Sequence, residues 1–276
     1  MVEIIAEVGI NHNGRLDIAF DLIRMAKECG ADAVKFQKRD IDTCYTPEFL
    51  ASPRDSPWGR TQGDQKRGLE FDRWQYDEID QFCKEIGILW FASAWDLKSL
   101  EFLECYKGGR HKIASTMLTN GPFIKAVAEC GRPTLISTGA ATLQQIDWAA
   151  NVFASKGCEF ALMHCVMEYP CPDNRCNVGM VQTLKNRYPG IEVGYSGHEV
   201  GIGPSVVAAA LGATIIERHI TIDRSMYGSD QSASLERRGL ALLVKYCREV
   251  EVCIGDGKKV VTEYEAANAA KMRYWL

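Results

Sequence analysis

The sequence predicts a closed (β/α)8 TIM barrel on three observations. Eight short apolar runs alternate with amphipathic helix-period segments, the runs are apolar on both faces, and their spacing is even. A length of 276 residues is close to what one such barrel needs. A doubly wound open sheet is the competing architecture, but it rarely uses eight strands so evenly spaced.

In chain order the strands are expected at residues 2–8, 33–37, 88–93, 112–115, 134–138, 160–165, 192–196 and 214–219. Most are bounded by Gly or Pro, and β-branched residues are frequent. Helices are expected at 17–29, 72–85, 97–106, 121–130, 143–156, 176–188 and 203–211, where apolar positions recur at helical spacing. Two connections depart from this repeat. Residues 38–71 form a long polar segment containing PEFLASPRDSPWGRTQ, and a functional loop is expected there. After residue 219 comes a second loop, DRSMYGSDQSASLE, followed by a helix at 237–253, a turn at IGDGKK and a last helix to 276. No linker or repeat divides the chain, so a single domain over 1–276 is expected.

Composition excludes several classes. A net charge of −4 supplies no basic field for nucleic acid. No stretch approaches the ~18 uninterrupted apolar residues of a membrane span. Glu3 and Glu7 interrupt the N-terminal apolar run, so no signal peptide is expected. Eleven cysteines scattered through apolar segments suit reduced thiols in a cytoplasmic protein. Cys165, Cys171 and Cys176 have no zinc-like spacing and read as core and loop thiols.

In barrels of this kind the C-terminal strand ends carry the active site. Read in order, those ends are Glu7, Lys35 with Gln37, Ser93, Lys112 with Ser115, Ser137 with Thr138, His164, Ser196 with His198, and Glu217 with His219. A lone serine there is usually just a solvated terminus, but a polar group on nearly every strand is harder to dismiss. Two lysines at the barrel mouth mean either a Schiff-base nucleophile or an anion clamp. With the hydroxyls of Ser115, Ser137 and Ser196 they suit a substrate bearing phosphate and carboxylate. The bland alternative is that one lysine merely neutralises Glu7 or Glu217. His198 and His219 end adjacent strands, so both can face one divalent metal, with Glu7, Asp230 or water completing the shell. His12 and His164 are weaker candidates, and His111 is expected outside the site.

The motifs AEVGINHNG (6–14), VKFQ (34–37), SPWGRTQ with LEFDRWQYDEID (56–80) and KIAS (112–115) resemble those of the sialic acid (N-acetylneuraminate) synthases and related nonulosonate synthases. The likeness continues through STG (137–139), MHCVMEYPCP (163–172), GYSGHE (194–199), IERHIT (216–221) and GSDQSASLE (228–236), covering essentially the whole chain. It implies condensation of phosphoenolpyruvate with the open-chain aldehyde of an N-acylhexosamine-like sugar, giving a 2-keto-3-deoxy sugar acid and phosphate. It further implies a divalent cation, manganese or magnesium, and a homodimer. Position by position, Lys35, Lys112, Ser93, Ser115, Ser137 and Ser196 fall on the phosphoenolpyruvate clamp and His198 and His219 on the metal ligands. Glu7, Gln37, Tyr169 and Asp230 fall around the sugar and its aldehyde.

Met117 stands where that family usually has an acidic residue, Met167 where it often has Asn, Gly197 in place of Asp, and Gln231 in place of His. Members usually continue into an antifreeze-like domain, whereas this sequence ends at RYWL, so the barrel alone is expected. Two other readings remain open: a Schiff-base pyruvate aldolase or lyase, and a degenerate barrel serving as a binding module.

Overall fold

The computed structural model describes residues 1–106 and 109–275. Eight parallel strands close into a barrel: β1 (Glu3–Gly9), β2 (Ala33–Lys38), β3 (Leu89–Ala94), β4 (His111–Ile113), β5 (Thr134–Ser137), β6 (Phe160–Cys165), β7 (Glu192–Gly197) and β8 (Ile215–His219). Each strand pairs with its sequence neighbour, and β1 closes the ring against β8 in the register Glu7↔His219. The expected strands lie within a few residues of these. Ser115 is displaced: β4 stops at Ile113, and Ser115 opens a one-turn 3-10 helix, Ser115–Met117.

Alternating side chains assign the layers, because every second residue of a strand faces the barrel axis. Ile5, Ala33, Phe91, Leu135 and Ile215 form an apolar floor inside the barrel with Ala161 and Met163. Two residues further along, the same faces carry Glu7, Lys35, Ser93, Ser137 and Glu217. The intervening residues point outward and build the core under the helices, including Ile4, Val34, Ile136 and Ile216. A polar layer therefore rests on a dry floor, and the helix-packed core holds both.

The helices start and stop on local signals. Capping boxes at Asp72–Gln75 and Thr142–Gln145 begin Arg73–Ile86 and Leu143–Ser155, and Gly87 at φ 70° ends the first of these. The helix expected at 176–188 runs only over Met180–Arg187, because the preceding residues form a 3-10 turn, Asp173–Arg175, and a loop. The last helix spans Glu263–Met272, and Leu276 lies outside the described residues. The long segment after β2 is not bare loop. It holds a hairpin (Pro53–Ser56, Gly59–Thr61) and the helix Gln62–Leu69, and Trp58 packs edge-on against Tyr227 at 5.7 Å. That contact joins it to the loop after β8.

Arg218 is fully buried and faces outward between the inward Glu217 and His219. It pairs with Glu199 at 2.8 Å and donates to the Gly201 carbonyl at 2.8 Å, while Ser205 and Tyr195 donate to the same carboxylate. The pair ties the loop that carries His198 to the strand that carries His219. Arg218→Met leaves a buried carboxylate unpaired, and a stability loss of about 3–5 kcal/mol is expected in denaturant unfolding. Glu199→Gln in the same chain is expected to recover part of that loss.

Candidate active site

Period-2 alternation brings Glu7, Lys35, Gln37, Ser93, Lys112, Ser137, Ser196, Glu217 and His219 to one cavity at the C-terminal end of the barrel. Ser115 reaches it from the 3-10 turn, and Tyr169 and His198 from the loops after β6 and β7. The cavity together with the solvent-open mouth above it spans about 430 Å³. A larger cleft of about 1200 Å³ opens at the opposite end, lined by Glu3, Leu89, Phe91 and Phe160. It contains none of the convergent lysines, hydroxyls and histidines, so the chemistry belongs to the smaller cavity.

Two buried lysines and two buried carboxylates interlock at its base. Lys35 Nζ lies 2.8 Å from Glu7 and 3.6 Å from Glu217, and it donates to Ser93 at 3.1 Å. Lys112 Nζ meets Glu217 at 3.1 Å, and Ser196 donates to the same oxygen at 3.1 Å. Both lysines are thus ion-paired in this structure, more than the bland alternative required. Burial opposes the charged form of Glu217 but is outweighed by Lys112 and Lys35, which hold its carboxyl down at about 2. Burial prevails at Glu7 over the attraction of Lys35, lifting that carboxyl to about 7. The two carboxyls are thus pushed in opposite directions, Glu217 down by two ammonium groups and Glu7 up by burial.

Ser137 Oγ is buried without a partner, as is Glu217 Oε2. Ser115 Oγ accepts the amide of Gly139 at 3.1 Å. A Cβ on Gly139 would stand 2.7 Å from that hydroxyl and 2.9 Å from Met167, so the close approach needs glycine. Gly139→Ala is expected to raise the KM of the anionic substrate at least tenfold, measured in steady-state kinetics, because Ser115 must move.

His198 and His219 face each other with ring centroids 5.6 Å apart. His198 Nδ1 donates to the Val166 carbonyl at 2.7 Å, a bond that fixes the tautomer and leaves Nε2 as the free lone pair. Burial, then the neighbouring His219, lowers His198 to about 4. Burial likewise lowers His219, whose buried Nδ1 lacks a hydrogen-bond partner and lies 3.9 Å from Asp230. Gly9, at φ 54°, leaves room for that ring, since a Cβ there would stand 3.1 Å from it. Two neutral imidazoles with free lone pairs offer donors of the kind a divalent cation takes, although with Asp230 or Glu7 they do not close into a compact three-ligand group. Asp230 is beside His219 rather than in the wall of the cavity.

The other histidines serve the scaffold. His12 stacks on Phe71 at 3.9 Å and is held near pKa 3 by burial, and His164 Nε2 bonds the Cys176 carbonyl at 2.9 Å. His111 points away from the cavity that Lys112 enters. It meets Glu104 at 2.8 Å within a group that includes Cys130, and Arg132 neutralises the same carboxylate at 3.2 Å. Cys171 and Cys176 are buried loop thiols. Cys165, read as a core thiol, lines the cavity with Ser115 Oγ at 3.4 Å. Glu217 is the central residue that strand-end reading underweighted. Its signal was its position two residues before His219 on the same face.

The chain matches the NeuB family over residues 22–259. It is 40% identical over 271 residues to N-acetylneuraminate-9-phosphate synthase of Homo sapiens, spanning 98% of this chain and 76% of that protein. Identity to N,N'-diacetyllegionaminic acid synthase of Campylobacter jejuni is 36% over 271 residues, spanning 96% of this chain and 81% of that one. The crystal structure of the N-acetylneuraminic acid (sialic acid) synthetase of Leptospira borgpetersenii, in complex with citrate, matches with a TM-score of 0.87 at 30% identity, covering 99% of this chain and 93% of that one.

Proposed function

The chain belongs to the NeuB family, and from that premise we propose that it condenses phosphoenolpyruvate with an open-chain, N-acylhexosamine-like aldose, yielding a 2-keto-3-deoxy sugar acid and phosphate. The observation that carries the reading is the Lys35–Lys112–Glu217 cluster, ringed by Ser93, Ser137 and Ser196, with two neutral histidines at its rim.

In the proposed reaction the methylene carbon of phosphoenolpyruvate bonds to the aldehyde carbon, and the carbonyl electron pair moves to oxygen, which gains a proton. Water adds to the resulting oxocarbenium carbon and loses a proton. The tetrahedral intermediate then collapses: its new hydroxyl gives up its proton and becomes the ketone, the carbon–oxygen bond to phosphate breaks, and inorganic phosphate leaves with that proton. Lys35 and Lys112 hold the phosphate and carboxylate, and Ser115, Ser137 and Ser196 supply hydroxyl donors. Glu217 orients both ammonium groups and favours their charged form, which burial opposes at Lys112. Glu7 and Gln37 stand on the His219 side and hold the aldehyde end, and Tyr169 and Asp230 border the sugar. His198 and His219 would hold a divalent metal, manganese or magnesium, which when bound supplies a Lewis acid for the aldehyde oxygen.

Two lines of evidence disfavour a Schiff-base aldolase. Glu217 and Glu7 overcome burial to raise the Lys35 pKa, Lys112, which burial lowers, is tied to Glu217 at 3.1 Å, and β6 ends in His164 and Cys165 rather than lysine. Borohydride treatment with pyruvate is expected to leave the protein mass unchanged, and an adduct on either lysine would favour the aldolase. A barrel that only binds is disfavoured by the intact cluster. The barrel by itself is proposed to carry the phosphoenolpyruvate half of the site, within a homodimer. Among the described residues no helix is long and apolar enough to cross a membrane.

The direct test incubates the protein with phosphoenolpyruvate, Mn²⁺ and a panel of aldoses. Aldehyde-dependent phosphate release with a nine-carbon product by mass is expected from at least one hexosamine. Silence across the panel would overturn the reading.

A further inference from the structure

The outer wall of the barrel carries a second group of metal-type donors, on the side of β4 turned away from the reaction cavity. Lys112 enters that cavity, so His111 before it points outward, beneath the helices Leu97–Glu104 and Gly121–Glu129. Glu104 ends the first of these helices, and Cys130 follows the last residue of the second. The ends of three elements thus meet at one place. The donor atoms of Glu104, His111 and Cys130 all lie within 4.8 Å of one another.

Two of these donors are unsatisfied. His111 is only 4% exposed, and its Nε2 stands 2.8 Å from Glu104 Oε1. Among the described residues neither atom has a hydrogen-bond partner, so the two face each other without a bond. Burial, against the pull of Glu104, lowers the His111 pKa and favours the neutral ring, which has a lone pair to offer. Arg132 Nε lies 3.2 Å from the same carboxylate. Its guanidinium is held independently, donating to the carbonyls of Tyr106 at 2.8 Å and Glu104 at 3.0 Å, so it stays in place when Oε1 turns to another cation. Cys130 Sγ makes only a weak donation to the Ala126 carbonyl of its own helix, at 3.3 Å. Cys130 and Glu104 are both partly exposed, which gives an ion a route in from solvent.

An imidazole nitrogen, a sulfur and a carboxylate oxygen are the mixed donors of a zinc-class ion, whereas magnesium and calcium take oxygen. Tetrahedral bonds of that class space their donors roughly 3.3–3.8 Å apart. That spacing falls between the 2.8 Å and 4.8 Å found here, so small side-chain rotations close the group.

We propose that Glu104, His111 and Cys130 hold a zinc-class divalent cation, with water as fourth ligand, at a structural site separate from the reaction cavity. On binding, the Cys130 thiol gives its proton to solvent and its sulfur bonds the metal. The ion ties two helix ends to the start of β4, one residue before Lys112.

The test titrates the metal-free full chain with Co²⁺ and then Zn²⁺, reading the thiolate-to-cobalt charge-transfer absorption. Wild type is expected to develop that absorption and to lose it as Zn²⁺ displaces Co²⁺. Cys130→Ser is expected to abolish it, and His111→Gln to weaken Co²⁺ binding at this site at least tenfold. Cys165→Ser and His219→Ala, both at the reaction cavity, are expected to keep it. Absence of the absorption in wild type, its survival in Cys130→Ser or its loss in Cys165→Ser would overturn the proposal. Cys130→Ser, at a partly exposed helix end, carries the test if His111→Gln fails to fold. Saturating Zn²⁺ is further expected to raise the Tm of His219→Ala by roughly 4 °C or more, and to leave His219→Ala with Cys130→Ser unmoved. Equal shifts in the two chains, or none in either, would reduce the group to a His111–Glu104 pair without a metal.

Discussion

Lys112→Met is expected to weaken phosphoenolpyruvate binding by about 10²–10³-fold, the cost of removing one partner from a buried, hydrogen-bonded charge cluster. The loss has two parts. The substrate anion forfeits an ammonium at a buried site, where a charge interaction is stronger than in bulk water. Glu217 also keeps only Lys35, at 3.6 Å, and the Ser196 hydroxyl, at 3.1 Å, so its carboxyl rises from about 2 towards the protonated form. Calorimetry with phosphoenolpyruvate alone measures the first part, and denaturant unfolding measures the second. Lys112→Met with Glu217→Gln removes both charges and is expected to restore much of the stability but none of the binding. If the double variant binds as tightly as wild type, Lys112 has no place in the clamp.

His219→Ala is expected to lower kcat by about 10³-fold or more, since a metal acting on a carbonyl oxygen is worth several kcal/mol at the transition state. Phosphoenolpyruvate affinity should change little, because the lysines and serines sit on other strands. Mn²⁺ affinity, followed by electron paramagnetic resonance of the free ion, should fall steeply, and excess metal should rescue poorly. The ring is held by a fixed environment: Gly9 leaves it space, Asp230 lies 3.9 Å away and β1 pairs beside it in register. Near-normal turnover and metal affinity would remove His219 from the ligand set, and loss of turnover with unchanged metal binding would reassign it to the substrate.

Much of the site was legible because its signals are local. Strand alternation put Glu7, Lys35, Ser93, Ser137, Ser196 and His219 on inward faces, and the cavity contains all of them. Ser115 illustrates a limit, since a four-residue strand and a strand ending in a 3-10 turn look alike in a run as short as KIAS. Asp230 illustrates another: its loop approaches His219 through packing that no periodicity announces. Met117 proved partly buried against the core and lines a neighbouring apolar space with Trp95 and Phe123 rather than the reaction cavity, whereas Met167 does line the cavity.

Residue pattern along single elements establishes the barrel, the polar layer above its apolar floor and the residue types of the anion clamp. Each follows from which side chains must be buried at which period along one strand or helix. Charge pairing within that layer is a property of the assembled barrel. Lys112 and Glu217 lie 105 residues apart and meet at 3.1 Å because β4 and β8 face each other across the ring. The opposite shifts of the two carboxyls follow from this packing, since Lys112 and Lys35 pull Glu217 down while burial pushes Glu7 up. Periodicity reports the environment of a residue along its own element, whereas ion pairing depends on distances between elements, and closure of the barrel sets those distances.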